Sequence, residues 1–229
     1  MVPGNWVLRA NISQKFRKPT FNDLYWIPGG NATLKPEMGY SFETGTAGTI
    51  WKNSRSKLTA DLSLYYSLID NMIVWRPAGA NWMAKNYQKV RSFGMESKLL
   101  FDTQWQRWQY HSSAMVTLNR AKYRTDSSNE EKVMLYSPRI ITAWENRVSI
   151  GIVDFAVWHH FTADRFYDDN ALLAPYQTID IQCGAKLPVG KGNLGISATV
   201  YNLANTTYEL IRLYPMPGRY WSAKINYAF

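Results

Sequence analysis

Residues 58–68 read LTADLSLYYSL, and the alternation within them decides the fold class. Leu58, Ala60, Leu62, Leu64, Tyr66 and Leu68 fall on one side of an extended chain, and Thr59, Asp61, Ser63, Tyr65 and Ser67 fall on the other. Successive side chains of a strand point to opposite faces, whereas a helix would mix these two sets. The same period continues in both directions. Trp108, Tyr110, Ala114, Val116 and Leu118 stand against Arg107, Gln109, His111, Ser113, Thr117 and Asn119. Ile179, Ile181, Cys183, Ala185 and Leu187 stand against Thr178, Asp180, Gln182 and Lys186. The last stretch sets Trp221, Ala223, Ile225, Tyr227 and Phe229 against Tyr220, Ser222, Lys224 and Asn226. Residues 6–13, 37–51, 88–101 and 194–202 follow with more noise. In residues 138–146 and 148–160 both parities carry apolar side chains, and a bulge that switches faces is expected there.

Alternation is shared by soluble β-sandwiches and membrane barrels, so composition has to choose between them. Aromatic residues reach 15% and charged residues only 19%, below the roughly 25% of soluble domains. Yet mean hydropathy is −0.34, and no run approaches the ~18 apolar residues of a transmembrane helix. Several alternating segments exceed the five or six residues (roughly) of soluble strands and suit a tilted crossing of a bilayer. Connections alternate in length: short near 52–57, 102–106, 146–147 and 188–193, long near 14–36, 70–86, 124–137, 163–174 and 204–217. Aromatics gather at segment ends as Trp6, Trp51, Trp108, Trp221, Tyr227 and Phe229, where amphipathic rings would meet lipid head groups. These features predict an all-β transmembrane antiparallel barrel wall of about ten strands, its apolar parity on lipid and its polar parity on an aqueous lumen. Arg9, Glu43, Asp61, Glu96, Asp180, Lys186 and Lys224 then all face the lumen, as they must when a lipid-facing Arg or Lys costs ~2–4 kcal/mol at mid-membrane.

Charge and reactive side chains exclude several function classes. The net charge of +9 comes from scattered Lys and Arg with no basic run or recognition helix, which argues against nucleic acid and for cations at loops and membrane rims. Cys183 is the one cysteine, so no internal disulfide or cysteine-rich metal site can form, and a small buried hydrophobe is its default reading. Adjacent His159 and His160 must point to opposite faces and cannot share an ion. Asp164, Asp168, Asp169 and Asn170 make an oxygen-rich loop, the one place for Ca²⁺, but without the glycine and glutamate spacing of an EF-hand it reads better as a solvated loop. His111 and Ser113 share a face, yet no nucleophile motif surrounds them, and neither an enzyme nor a cofactor is expected. The opening MVPGNWVLRANIS lacks the basic and apolar regions of a signal peptide. For an exported protein this leads to the expectation of a fragment or of an N-terminal part encoded elsewhere.

Residues 16–37, FRKPTFNDLYWIPGGNATLKPE, carry a more specific signal in Phe16, Arg17, Pro19, Leu24, Tyr25, Gly30, Asn31, Leu34, Lys35, Pro36 and Glu37. ETG at Glu43 to Gly45, YYSLIDNMI, SFGMES with Gly94 and Glu96, YSPR at Tyr136 to Arg139, VYNLANTTYE and PGRYWSAKINYAF follow in order. This ordered set resembles the TonB-dependent outer-membrane receptors, in loop and strand lengths most of all their cobalamin-transporter branch. The resemblance implies that residues 1–229 are the C-terminal part of a barrel of about 22 strands with a plugged lumen, the plug and N-terminal strands lying outside this sequence. It implies active uptake of a scarce large nutrient, cobalamin or a ferric siderophore, in the outer membrane of a Gram-negative bacterium. Expected partners are TonB acting on the absent plug, outer-membrane lipid and lipopolysaccharide, the barrel-assembly machinery and a surface lipoprotein. Ile225, Tyr227 and Phe229 would form the assembly signal on the last strand. Aromatic residues of the long connections, namely Tyr25, Trp26, Trp75, Trp82, Tyr87, Tyr123, Tyr167 and Tyr214, could grip a bulky ligand or simply pack the loops. Tyr25, Trp75 and Tyr87 are the ligand-contact candidates. A passive porin or adhesin-type barrel, a soluble all-β binding protein and an inactive truncated receptor remain open at this point.

Overall fold

Alternation becomes one continuous antiparallel sheet in the computed structural model, which describes residues 5–125 and 128–229. The N-terminal part runs β1 (Val7–Arg17), α1 (Phe21–Tyr25), β2 (Glu37–Lys52), β3 (Ser56–Ala78), β4 (Asn81–Trp105) and β5 (Trp108–Thr125). There follow β6 (Ser128–Val133), β7 (Ile140–Ile150), β8 (Val153–Thr162), β9 (Arg165–Asp168) and β10 (Ala171–Leu173). The chain closes with β11 (Tyr176–Val189), β12 (Gly192–Tyr201), β13 (Glu209–Ile211), β14 (Tyr214–Pro215) and β15 (Tyr220–Ala228). The wall order is β1-β2-β3-β4-β5-β7-β8-β11-β12-β15, with β6 attached to β5 and two small ribbons, β9–β10 and β13–β14. Every neighbour in the wall is the next strand in sequence once the small ribbons are set aside. That is an up-and-down meander, open at β1 and β15. No helix is long and apolar enough to cross a membrane among the described residues.

One end of the wall carries tight turns at residues 53–55, 106–107, 151–152 and 190–191, and the other carries the long connections. Two expected connections differ. Residues 70–86 are not a loop: β3 and β4 keep one register across Asn71 up to Ala78↔Asn81, and Gly79 (φ 64°) supplies the left-handed turn residue. This arm therefore stands well beyond the rest of the wall. The turn expected at 146–147 lies instead at Gly151 (φ 59°) and Ile152. Nor is there a bulge between β7 and β8, whose register runs unbroken from Ile141↔Thr162 to Ile150↔Val153. Its mixed parity has a chemical cause. Asn146 sits on the apolar face, where the Tyr110 hydroxyl donates to it at 2.6 Å. Trp158 sits on the polar face, beneath the Arg147 guanidinium at 5.6 Å. A bulge does occur where β2 meets β3, between Thr49 and Trp51. It turns Trp51 onto the parity of Leu58, so that Trp51 joins the apolar face.

Exposure excludes a packed core beneath the apolar parity. Cross-strand partners Tyr66 and Phe93 are 40% and 48% exposed, Ile196 and Ile225 are 42% and 72% exposed, and Trp144 is 51% exposed. These residues would be a soluble protein's core, yet they form a continuous exposed surface, the outward face of a barrel wall. Two small clusters of buried apolar side chains lie instead at the loop end: Leu34, Ile73 and Ala84, and Tyr87, Val90 and Tyr123. Cys183 follows the same rule: it lies exposed on the outward face, correcting the buried reading. At the tight-turn end Trp6, Trp105, Trp108 and Phe229 form an exposed aromatic belt.

Candidate functional site

The long connections are tied to the wall by charged and aromatic groups, and the block at residues 16–37 makes most of those ties. Thr20 and Asp23 form a capping box that starts α1, satisfying backbone N–H groups that a helix start leaves unpaired. Asp23, 5% exposed, also accepts hydrogen bonds from the Trp75 indole at 2.8 Å and from Arg17 at 3.1 Å. Burial pushes the Asp23 carboxyl up, but Thr20, Trp75 and the Arg17 charge outweigh it and hold it below the ordinary value. Arg17 donates at 2.6 Å to Glu37, which also accepts the backbone N–H of Ile73 at 2.7 Å. The apolar half of the dock is Leu24 and Trp75 packed on Leu34, Ile73 and Ala84. Gly29 lies so close that an added Cβ would sit 1.8 Å from the Trp82 carbonyl oxygen, and its own carbonyl accepts from Ala84 N–H at 2.9 Å. Asn86 completes the clamp, accepting from Lys35 N–H at 2.9 Å and donating to the carbonyls of Lys35 and Asn71 at 3.0 and 2.6 Å. The T-x-x-D spacing is a local signal; the Asp23–Trp75 tie has none, because it joins residues 52 apart in the chain.

A second tie fastens the other side of the arm. Tyr87 stacks on Tyr123 with centroids 4.0 Å apart and an interplanar angle of 7°. Both rings are 2% exposed. Tyr87 and Val90 lie three residues apart, which regular alternation would put on opposite faces, yet they share one cluster. Asn71, with φ 54°, marks the break on the neighbouring strand. The Tyr123 hydroxyl donates to Asp169 at 2.9 Å, and Lys132 donates to the other Asp169 oxygen. The Lys132 bond, ahead of the opposing effect of burial, holds the Asp169 carboxyl below its ordinary value. Both oxygens of Asp169 are thus engaged, and among the described residues no three His, Cys, Asp or Glu gather in a metal-binding arrangement. The last connection is organised by Asn202 (φ 49°, 4% exposed), whose side chain bonds Thr206 in both directions at 2.8 and 2.9 Å. The Asn202 backbone N–H donates to Asp180 at 2.7 Å.

The three ligand-contact candidates differ in exposure and partners. Tyr25 is open, 61% exposed, with its ring 5.8 Å from Phe21. Trp75 is held in the dock through its indole N–H. Tyr87 has its ring covered by Tyr123, which makes it a packing residue rather than a direct contact. Tyr123, another of the aromatics expected in the loops, is buried with it. Trp26 and Tyr214, at 58% and 63% exposure, are the other open rings of that set. Ile225, Tyr227 and Phe229 share the outward face at the free edge, and the Tyr227 hydroxyl donates to the Val189 carbonyl at 3.1 Å. The polar face carries Arg9 on Asp61, Arg147 on Asp154 at 3.3 Å, and Asp102 beside His111 at 2.7 Å. A cleft of about 400 Å³ opens there, lined in part by Lys52, Arg55, Asp102, His111 and Arg147.

Residues 2–203 match the family described as TonB dependent receptor-like, beta-barrel. The chain belongs to that family. This receptor-barrel chain is 28% identical over 227 residues to a vitamin B12 transporter BtuB of Vibrio vulnificus strain YJ016, covering 96% of the chain and 34% of the relative. It is 26% identical to the vitamin B12 transporter BtuB of Photobacterium profundum, covering 96% and 35%. The receptor-barrel chain thus spans about a third of the length of these curated relatives. Its fold is that of the copper transporter OprC, at a TM-score of 0.76 and 18% identity over 98% of the chain and 37% of OprC. It also matches the ferric-catecholate import receptor Fiu of E. coli K12, at 0.63 and 19%, over 99% and 33%.

Proposed function

We propose that this chain forms part of the barrel wall and ligand-binding rim of a TonB-dependent transporter in the outer membrane of a Gram-negative bacterium. The nutrient is cobalamin in the first reading, because the vitamin B12 transporters match over nearly the whole chain. A ferric siderophore is the second, favoured by the fold shared with a ferric-catecholate receptor. The observation that carries the reading is the outward apolar parity across an up-and-down wall, combined with a rim in which the block at residues 16–37 clamps the β3–β4 arm. The wall and loops bind, a plug encoded outside this sequence gates, and TonB does work on the plug; no covalent chemistry is involved. Ile225, Tyr227 and Phe229 present an open apolar edge for the barrel-assembly machinery, and a surface lipoprotein and lipopolysaccharide complete the partners.

The test joins this chain to the plug and N-terminal strands encoded with it and measures labelled cobalamin uptake in cells lacking their own transporter. Uptake that stops when TonB is deleted or the proton-motive force is collapsed is the expected result. Uptake indifferent to both would establish a passive pore instead. Absence of cobalamin uptake, with ferric-chelate uptake present, would move the substrate to the second reading.

A further inference from the structure

One group of cations breaks the sorting that the rest of the wall obeys. Lys89 and Arg91 of β4 and Arg120, Lys122 and Arg124 of β5 occupy the outward parity shared with Tyr66 and Phe93. Two of the pairs are directly opposed like charges, Lys89↔Arg124 and Arg91↔Lys122, an arrangement that destabilises a sheet unless an anion intervenes. Glu131 reaches Arg91 and, at 3.5 Å, Lys122, and Asp70 lies 4.0 Å from Lys89. The Arg124 Nε is buried without a hydrogen-bond partner. The five cations line two adjoining clefts of about 240 and 260 Å³ floored by Tyr66, Phe93 and Leu68. The next outward row toward the tight turns is Leu64, Met95, Leu118 and Ile140, wholly apolar.

Cations above, aromatic rings at their level and aliphatic side chains below match, layer for layer, an amphiphile with an anionic head and hydrocarbon tails. We propose that this patch binds the phosphate of an acylated lipid in the leaflet at the loop end, with its chains lying along Leu64, Met95 and Leu118. The inference rests on the outward reading of the apolar parity. It goes beyond the transport role, since it assigns a lipid site to the outside of the wall.

Electron spin resonance on the full chain in phosphatidylcholine vesicles, doped with spin-labelled phosphatidic acid or spin-labelled phosphatidylcholine, tests it. The wild-type chain should hold phosphatidic acid about fivefold or more in preference to phosphatidylcholine, given the contribution of each cation near a membrane surface. Arg91→Gln with Arg120→Gln and Lys122→Gln should bring that ratio to parity. Lys98→Gln with Lys186→Gln and Lys224→Gln, equal in charge but on the polar face, should leave it unchanged. An excess of inorganic phosphate should not displace the label; displacement would make this a phosphate-ion site and overturn the lipid assignment. A preference that survives in the outward triple variant would also overturn it. Absence of any immobilised label with either lipid would instead sink the membrane-facing reading itself.

Discussion

At Asp169 one carboxylate joins two strand systems, taking the Tyr123 hydroxyl on one oxygen and Lys132 on the other. Its folded-state affinity for a proton is depressed, so the stability it contributes is present above its unfolded value of roughly 3.9 and is lost as pH falls through the folded one. Hydrogen exchange of residues 165–173, corrected for intrinsic rates, should therefore stay flat near neutrality and rise only below about pH 4. In Asp169→Asn that acid step should be absent, with exchange already raised at neutral pH; an identical step in the variant would assign it to another group. The ligand-contact candidates separate by burial. In a rebuilt receptor, Tyr25→Ala should weaken capture without loosening the rim. Tyr87→Ala, which empties a buried stack, should cost about 3–5 kcal/mol of rim stability, and all three substitutions with Trp75→Ala should lower affinity at least about tenfold. Unchanged affinity in the triple variant, measured by isothermal titration, would remove these positions from the site. The sequence pointed to aromatic loops but not to which rings are covered, because Tyr87 and Tyr123 meet across strands and nothing local marks their contact.

Elements show where pattern reading succeeded and where it stopped. β3, β11 and β15 were legible because polar and apolar residues alternate with few exceptions, and a wall with lipid on one side and water on the other demands that alternation. The β3–β4 arm was not. Pro77 and Gly79 read as loop signals, and the parity break marked by Asn71 scrambles the period where the arm leaves the wall. The β7–β8 turn was misplaced because Glu145, Asn146 and Arg147 resemble a polar turn, although Asn146 is satisfied by Tyr110 on the outward face. Glycines on the polar face carry a related requirement. The Tyr65 ring lies across Gly94 on its way to donate to Asn119 at 2.9 Å, and an added Cβ at Gly94 would meet the Leu118 carbonyl oxygen at 2.2 Å. Gly94→Val should destabilise the β3–β4–β5 contact by about 1–3 kcal/mol, read as a lower midpoint in urea with the refolded barrel in vesicles. A midpoint equal to wild type would show that Tyr65 and the β5 backbone at Leu118 yield without cost.

For the whole molecule the controlling fact is where its greasy surface points. A soluble sandwich would hide Leu62, Leu64 and Ile196 between two sheets, whereas here one sheet carries them all outward and its buried apolar clusters lie at the loop end. The lipid-site proposal and the aromatic belt both depend on that orientation. The most direct measurement replaces residues 62–67 one at a time by cysteine in a Cys183→Ser background, attaches a nitroxide, and compares collisions with oxygen and with a water-soluble nickel chelate in vesicles. The account predicts a two-residue period, with positions 62, 64 and 66 favouring oxygen and positions 63, 65 and 67 favouring the nickel chelate. Positions 62, 64 and 66 shielded from both reagents would mean that these side chains fill a closed core, and the barrel-wall account would be wrong.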